Sequence, residues 1–324
     1  MKAIVLNEFG GPDVLHYRDM PMPPYGDTEV LIKVHAAGVN PADWKMREGW
    51  LAQAFTHQLP VVPGWDLAGT VEAVGSKVTG IEIGSAVYAY NRLAVVQHGS
   101  FAEYSIADIS MVAPLPANLD FVTASTIPLT VLTAWQALVD YCALQKGESV
   151  LITAGAGGVG GFAIQIARHL GARVCTTASA HNHDYVQQLG AELAIDYRTE
   201  NIAEAVSQFA SGGVDVVFDC SGSENVALNF DYVKRQSGRI VTINGLLDTV
   251  PTLEKMGQDY DVKAGLMFVE PNGAQLGEIS SLLERGVLTP LPVQVFPLEK
   301  AAEALALSEA GHVRGKLALQ IVRD

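Results

Sequence analysis

Hydrophobic and polar residues alternate in short runs over the first third of the chain. Lys2 to Leu6, Val30 to Ala37, Gly69 to Val74 and Ala86 to Tyr90 each read as a strand of period two, separated by Gly and Pro turns. A β-rich unit is predicted up to about residue 120. The pattern changes at Ala124, where helical spacing and apolar strand runs begin to take turns. Helices are predicted over Leu132 to Tyr141, 159–170 and around Asp184 to Leu189. Strands are predicted over 149–153, 173–178, Leu193 to Ile195, Val214 to Asp219, Arg239 to Ile243 and Val262 to Phe268. This alternation implies a parallel sheet covered on both faces. The last stretch mixes a helix at Gln275 to Glu284, a Pro-rich strand region at 290–297, a helix at Leu298 to Ser308 and a strand at Lys316 to Ile321. Its β character points to a return to the first domain. The connections at 50–58 and 246–262 carry no pattern that predicts their conformation.

The sharpest local signal is SVLITAGAGGVGGFAIQIARHLGARV at 149–174, where an apolar strand runs into Gly155, Gly157 and Gly160 and then into a helix. In a dinucleotide-binding turn Gly155 allows the tight bend, Gly157 lets the backbone approach a pyrophosphate, and Gly160 lets the helix pack on the strand. Backbone groups of Ala156, Gly157, Gly158 and Val159 then hold the phosphates at the helix N-terminus. The next strand ends in Thr177, Ala178 and Ser179, where an NAD site is expected to place an acid on the ribose hydroxyls. That acid is missing. Ser179, His181, Asn182 and His183 offer donors to a 2′-phosphate instead, so NADPH is predicted over NAD(H). No Lys or Arg occurs between Arg173 and Arg198, which leaves Arg198, next to Tyr197, or a protonated histidine to neutralise the phosphate. His181 and His183 read equally well as an exposed polar loop.

A chain of 324 residues with 49% hydrophobic content can bury two cores. Its formal charge of −14 argues against nucleic-acid or anionic-membrane partners. No apolar run reaches spanning length, and MKAIVLNEFGG alternates like a strand rather than a leader, so a cytoplasmic protein is expected. Cys142, Cys175 and Cys220 are scattered and odd in number, which suits reduced core residues.

Five further segments carry a resemblance: AAGVNPADWKMREG at 36–49, PVVPGWDLAGTVEAVG at 60–75, PLTVLTAWQAL at 128–138, LGAELAIDYR at 189–198 and GHVRGKLAL at 311–319. With the glycine turn, they make the chain resemble, over nearly its whole length, the zinc-independent quinone oxidoreductase branch of the medium-chain dehydrogenase/reductase superfamily, the zeta-crystallin-like and alkenal/enone reductases. The resemblance implies an α/β protein: a GroES-like, β-rich substrate domain from 1–123 and 271–324, and a Rossmann domain at 124–270 with a doubly wound parallel sheet. An active site is expected in the cleft. Zinc-dependent relatives carry a Cys after G-V and a G-H-E further on; here those positions hold Asn40 and Trp65, and no cysteine precedes Cys142. No metal is expected.

Without a Lewis acid, a conjugated acceptor is the easier one, because it spreads the developing charge onto a distant oxygen. The implied activity is hydride transfer from NADPH to a quinone or to the C=C bond of an α,β-unsaturated carbonyl. An enoyl-thioester reductase and a catalytically weak NADPH-binding sensor or structural protein are the alternatives. Asn40 is expected to orient the acceptor oxygen or the ribose. Lys45, where many relatives place a Tyr, reads as a proton source, a ribose contact or a solvated helix lysine. Asp43 reads as a helix cap and Asp66 as a structural carboxylate. Trp44, Trp50, Phe55, Tyr90 and Phe268 are candidates to line an apolar pocket or to be plain core. The resemblance further sets Thr133, Asn244, Gly245, Phe268 and Val269 around the nicotinamide, Ser221 beside the adenosine, and Arg314 and Lys316 near the cofactor. A homodimer is expected through the sheet-edge strand around 262–268.

Overall fold

The computed structural model describes residues 1–221, 226–243 and 249–322. The chain divides into two compact units, Met1–Leu132 with Pro271–Asp324, and Thr133–Glu270.

The first unit is built on the strand Glu29–Val39. Its alternation puts Val30, Ile32 and Val34 into a core with Leu67, Val71, Val87 and Ala89. A seven-stranded sheet forms around it in the order Val293–Pro297, Lys316–Gln320, Glu29–Val39, Asp66–Val74, Ala86–Tyr90, Val112–Pro114, with Tyr104–Asp108 also paired to Glu29–Val39. Register shifts between Leu31 and Ile32 and between Val34 and Ala36 bend this strand, which lets it serve more than one partner along its length. The C-terminal strand runs antiparallel to it, with Leu317 opposite Val39. A second sheet joins Lys2–Leu6 to Leu15–Asp19 and Thr56–Val62, and the latter to Val95–His98. Thr56–Val62 escapes a sequence reading because His57, Gln58 and Pro60 interrupt its alternation. The helix Ala301–Ala310 closes the core through Ala301, Ala304 and Leu305, packed with Ala37, Val39 and Leu317.

The second unit holds a six-stranded sheet of Leu193–Ile195, Arg173–Thr177, Ser149–Ile152, Val216–Asp219, Arg239–Thr242 and Lys263–Leu266, every pair parallel. Counted along the chain the spatial order is 3-2-1-4-5-6, the doubly wound Rossmann arrangement. Val150, Leu151, Ile152, Val216, Val217 and Phe218 are all buried, as continuous apolar runs in a sheet covered on both faces must be. The helix expected from Leu132 starts earlier, as Pro128–Trp135, and widens into a π-helical turn over Gln136–Tyr141. Pro128 sits in its first turn, where the missing N–H has no partner to lose. The unpatterned stretch after 246 includes the helix Val250–Tyr260, whose Pro251 also lies in the first turn. Among the described residues no helix is long and apolar enough to cross a membrane.

Candidate active site

The strand Glu29–Val39 ends at Asn40 and turns directly into the helix Pro41–Arg47. Asn40, not Asp43, is the N-cap. The Asp43 carboxylate accepts from the Asn40 backbone N–H at 2.8 Å, the third-residue arm of a capping box. The Asn40 side chain is held inside. Its Nδ2 donates to Asp66 Oδ2 at 2.9 Å, and its Oδ1 accepts from the Lys316 ammonium, which also donates to the Val39 carbonyl at 2.9 Å. Asp66 accepts in addition from the Leu129 N–H at 2.8 Å. Asn40 is 1% exposed and Lys316 4%, so a lysine expected near the cofactor has its ammonium directed into the fold. Burial pushes the Asp43 carboxyl up to about 8 and Asp66 to about 6, the nearby Lys316 opposing both, while burial pulls Lys316 below the usual lysine range. Asp43 thus holds its proton more tightly than Asp66, and a cation drawn out of water at Lys316 has carboxyls beside it, as such a group requires.

Lys45 lies further along the same helix. Its ammonium stands 5.7 Å from the centre of the Trp44 ring, and burial lowers its pKa from the ordinary lysine value. Trp44 meets Trp50 edge-on at 5.1 Å, and Trp50 is 52% exposed. A second cluster joins Phe55, Trp65 and Tyr90 edge-on, with the Arg92 guanidinium 4.6 Å from the Phe55 ring and its Nε–H donating to the Tyr90 hydroxyl at 3.0 Å. Each aromatic cluster therefore carries one cation. Tyr90 lies in the core and Phe55 is half-buried. Sequence reading passed over Arg92, because a lone cation after an apolar strand is an ordinary sight. It also passed over Arg47, which is fully buried, pairs with Glu48 and Glu309 and donates to the Gly10 carbonyl, tying this helix to Ala301–Ala310. Arg314 is exposed in the turn before Lys316.

In the second unit the strand Ser149–Ile152 runs into the turn and then the helix Gly158–His169, with Gly157 as N-cap. The bend expected at Gly155 is made by Ala154, whose φ is +53°. Gly155 is required for another reason: a Cβ there collides with the Thr176 hydroxyl on the adjacent strand, and one at Gly160 collides with the Ala154 carbonyl. The turn is pinned by Ala154 N–H donating to Thr177 Oγ1 and Gly155 N–H to the Thr177 carbonyl, each at 3.0 Å. It lies where the strand order reverses, the usual ligand position in such sheets. The side-chain-free backbone of Gly157 and Gly158 and the open helix N-terminus fit a pyrophosphate.

Asp219, at the end of the neighbouring strand, is fully buried and was not foreseen. It accepts from Thr153 Oγ1 and the Ser221 hydroxyl at 2.8 Å, from Asn229 Nδ2 at 3.1 Å and from Thr242 Oγ1 at 3.3 Å, so one carboxyl ties the carboxyl ends of three strands and orients Ser221. An acid closing the run VVFD was its only sequence signal. Ser179 is buried before the turn Ala180–Asn182; Asn182 Nδ2 donates to its hydroxyl at 3.4 Å, and the His183 ring bonds the Ala178 carbonyl at 3.2 Å. Tyr197 is exposed with the Arg198 guanidinium 5.5 Å from its ring centre. Thr133 is buried on Pro128–Trp135, and Phe268, partly exposed, and Val269 follow Lys263–Leu266. Asn244 and Gly245 lie outside the described residues.

Residues 26–117 match the family model of the alcohol dehydrogenase GroES-like domain, and residues 189–319 that of the zinc-binding dehydrogenases. The chain is 36% identical to the "NADPH-dependent alkenal/one oxidoreductase, chloroplastic" of Arabidopsis thaliana, over 98% of its own length and 78% of that protein. It belongs to the zinc-independent quinone oxidoreductase branch of the medium-chain dehydrogenase/reductase superfamily. Another member, the 2-methylene-furan-3-one reductase of Solanum lycopersicum, is 34% identical over 98% of this chain and 79% of the relative. The solved structure of the quinone oxidoreductase from Coxiella burnetii superposes on this medium-chain reductase with a TM-score of 0.89 at 34% identity, covering 99% of each chain. Where zinc-dependent members carry Cys and His, this member has Asn40 and Trp65. Among its described residues no three His, Cys, Asp or Glu side chains gather as a metal ion requires.

Proposed function

We propose that this protein is an NADPH-dependent reductase that works without zinc and delivers a hydride to a quinone or to the C=C bond of an α,β-unsaturated carbonyl. The observation that carries the reading is the turn at 153–158, whose Gly157 and Gly158 bring side-chain-free backbone to the mouth of a helix where the strand order reverses. The activities named for its relatives on alkenals, a methylene-furanone and quinones supply the acceptor class. NADPH is favoured over NADH because Arg173–Thr177 is followed by Ala178 and Ser179 rather than an acid, with Ser179, Asn182, His183 and Arg198 available to a 2′-phosphate.

Bound NADPH supplies the hydride. The chain holds the pyrophosphate on the backbone of Ala156 to Val159, and Thr133, Ser221, Phe268 and Val269 are assigned to flank the rest of the cofactor. Lys45 hydrogen-bonds the acceptor oxygen as charge develops there and then gives it a proton, and its lowered pKa makes it the readier donor. Trp44, Trp50 and Phe55 offer apolar faces to a planar acceptor. Asn40, both ends of its amide held internally, positions the helix rather than the acceptor. A second copy pairs along the edge strand Lys263–Leu266 to give a homodimer.

The test follows NADPH oxidation with a 1,4-quinone, a vinyl ketone, an enal, a crotonyl thioester and a simple ketone, for wild type and Lys45→Ala. Turnover of the quinone or enones that falls about 10²- to 10⁴-fold in the variant is the expected result. Turnover confined to the thioester replaces the acceptor class with enoyl thioesters, and cofactor binding with no turnover favours a sensing or structural role.

A further inference from the structure

We propose that Lys316 is a positioning residue: it sets which way round the Asn40 amide sits and so registers the first turn of the helix that carries Lys45. The inference deepens the reductase reading and rests on it. An ammonium has only protons to offer, so it can face the amide oxygen of Asn40 and never its nitrogen. With Oδ1 turned to Lys316 and a second ammonium proton given to the Val39 carbonyl, Nδ2 is left for Asp66 Oδ2 at 2.9 Å. A neutral side chain at 316 removes that constraint. Without the cation Asp66 takes up a proton more readily, and a protonated Asp66 can donate to Oδ1, so the amide can sit either way round.

The amide matters because the same residue caps the helix. The Asn40 backbone N–H reaches Asp43 Oδ2 at 2.8 Å and Pro41 opens the first turn, so the amide, the cap and the helix direction form one rigid piece. Lys45 rides on that piece five residues later. The Lys316 ammonium donates to the Val39 carbonyl and to Asn40 Oδ1, and its charge bears on Asp43 and Asp66. It therefore acts on the helix that carries Lys45 through Asn40 and the two carboxyls that hold that residue. A role in filling the core alone predicts lost stability with unchanged turnover per folded molecule, and a direct cofactor contact predicts weaker NADPH binding. Positioning predicts a third result.

In the full-length protein, Lys316→Met is expected to lower kcat with an enone by about 10-fold or more, while the NADPH Kd read by fluorescence stays within about two-fold. In asparagine-labelled protein the Asn40 side-chain amide protons are expected to exchange with water about 10-fold faster than in wild type. Lys316→Arg, which keeps a cationic donor, is expected to restore part of both. Unchanged kcat, or a raised Kd with kcat retained, overturns the proposal. Should Lys316→Met fail to fold, Asn40→Ala must reproduce the loss of kcat, and an unchanged kcat there overturns it equally. Wild type inactive on every acceptor removes the reductase reading by itself; the exchange rate still decides whether Lys316 holds the amide, and an unaltered rate in Lys316→Met ends the idea.

Discussion

Asp43 shows how a single buried carboxyl sets a pH dependence. Its folded-state pKa of about 8 lies far above the ordinary aspartate value, so the folded chain holds this proton more tightly than the unfolded one. The stability tied to it is complete below about pH 4 and is lost as pH rises toward 8. Asp43→Asn keeps an acceptor for the Asn40 N–H without the charge, so its stability relative to wild type is expected to climb across that window. Denaturant melts at a series of pH values measure this, and a constant difference would count against the assignment. The sequence made the residues of this cluster visible as motifs at 36–49, 60–75 and 311–319, but not their roles. Asn40 stood out as a group for the acceptor and Lys316 as one for the cofactor. Their mutual bond spans 276 positions, which no local pattern encodes.

At the scale of elements, the helix Pro41–Arg47 is held at both ends, by the Asn40 cap and by Arg47. Removing Arg47 leaves Glu48 and Glu309 partly in water, so Arg47→Met is expected to cost less than the about 3–5 kcal/mol of a wholly buried broken pair, read by urea denaturation. The glycine-turn helix depends instead on absent side chains. Gly160→Ala drives a methyl into the Ala154 carbonyl, an overpacking cost of about 1–3 kcal/mol, and is expected to raise the NADPH Kd because the turn must shift. Calorimetry with NADPH measures it, and wild-type affinity would show that the turn has slack. Alternation and apolar runs announced the strands of the parallel sheet because its central strands, Ser149–Ile152 and Val216–Asp219, are buried at every position. They missed Thr56–Val62 and Val250–Tyr260, where polar residues and proline hide the period and tertiary packing decides.

For the whole molecule, the edge strand Lys263–Leu266 faces its sheet with the N–H groups of Lys263 and Met267, which donate to Gly238 and Thr242, so the Ala264 N–H points away. Ala264→Pro removes an outward donor without touching the internal ladder. Light scattering is expected to give twice the chain mass for wild type and the single mass for this variant; a wild-type monomer would refute the dimer. Dialysis against a strong chelator is expected to leave turnover unchanged, and a loss restored by zinc would reverse the metal-free reading. The first unit also has an order of assembly written into it. Its sheet is completed by Lys316–Gln320, synthesised long after Ala36–Val39, against which they lie. Asn40, Asp43 and Asp66 thus leave the ribosome long before the cation that matches them, and this long-range closure is a slow kind of contact to form. A chain interrupted before Lys316 lacks the cation that faces Asn40 and Asp66 and leaves Ala36–Val39 with a bare flank, so such a product is expected to be cut by protease faster than the full chain.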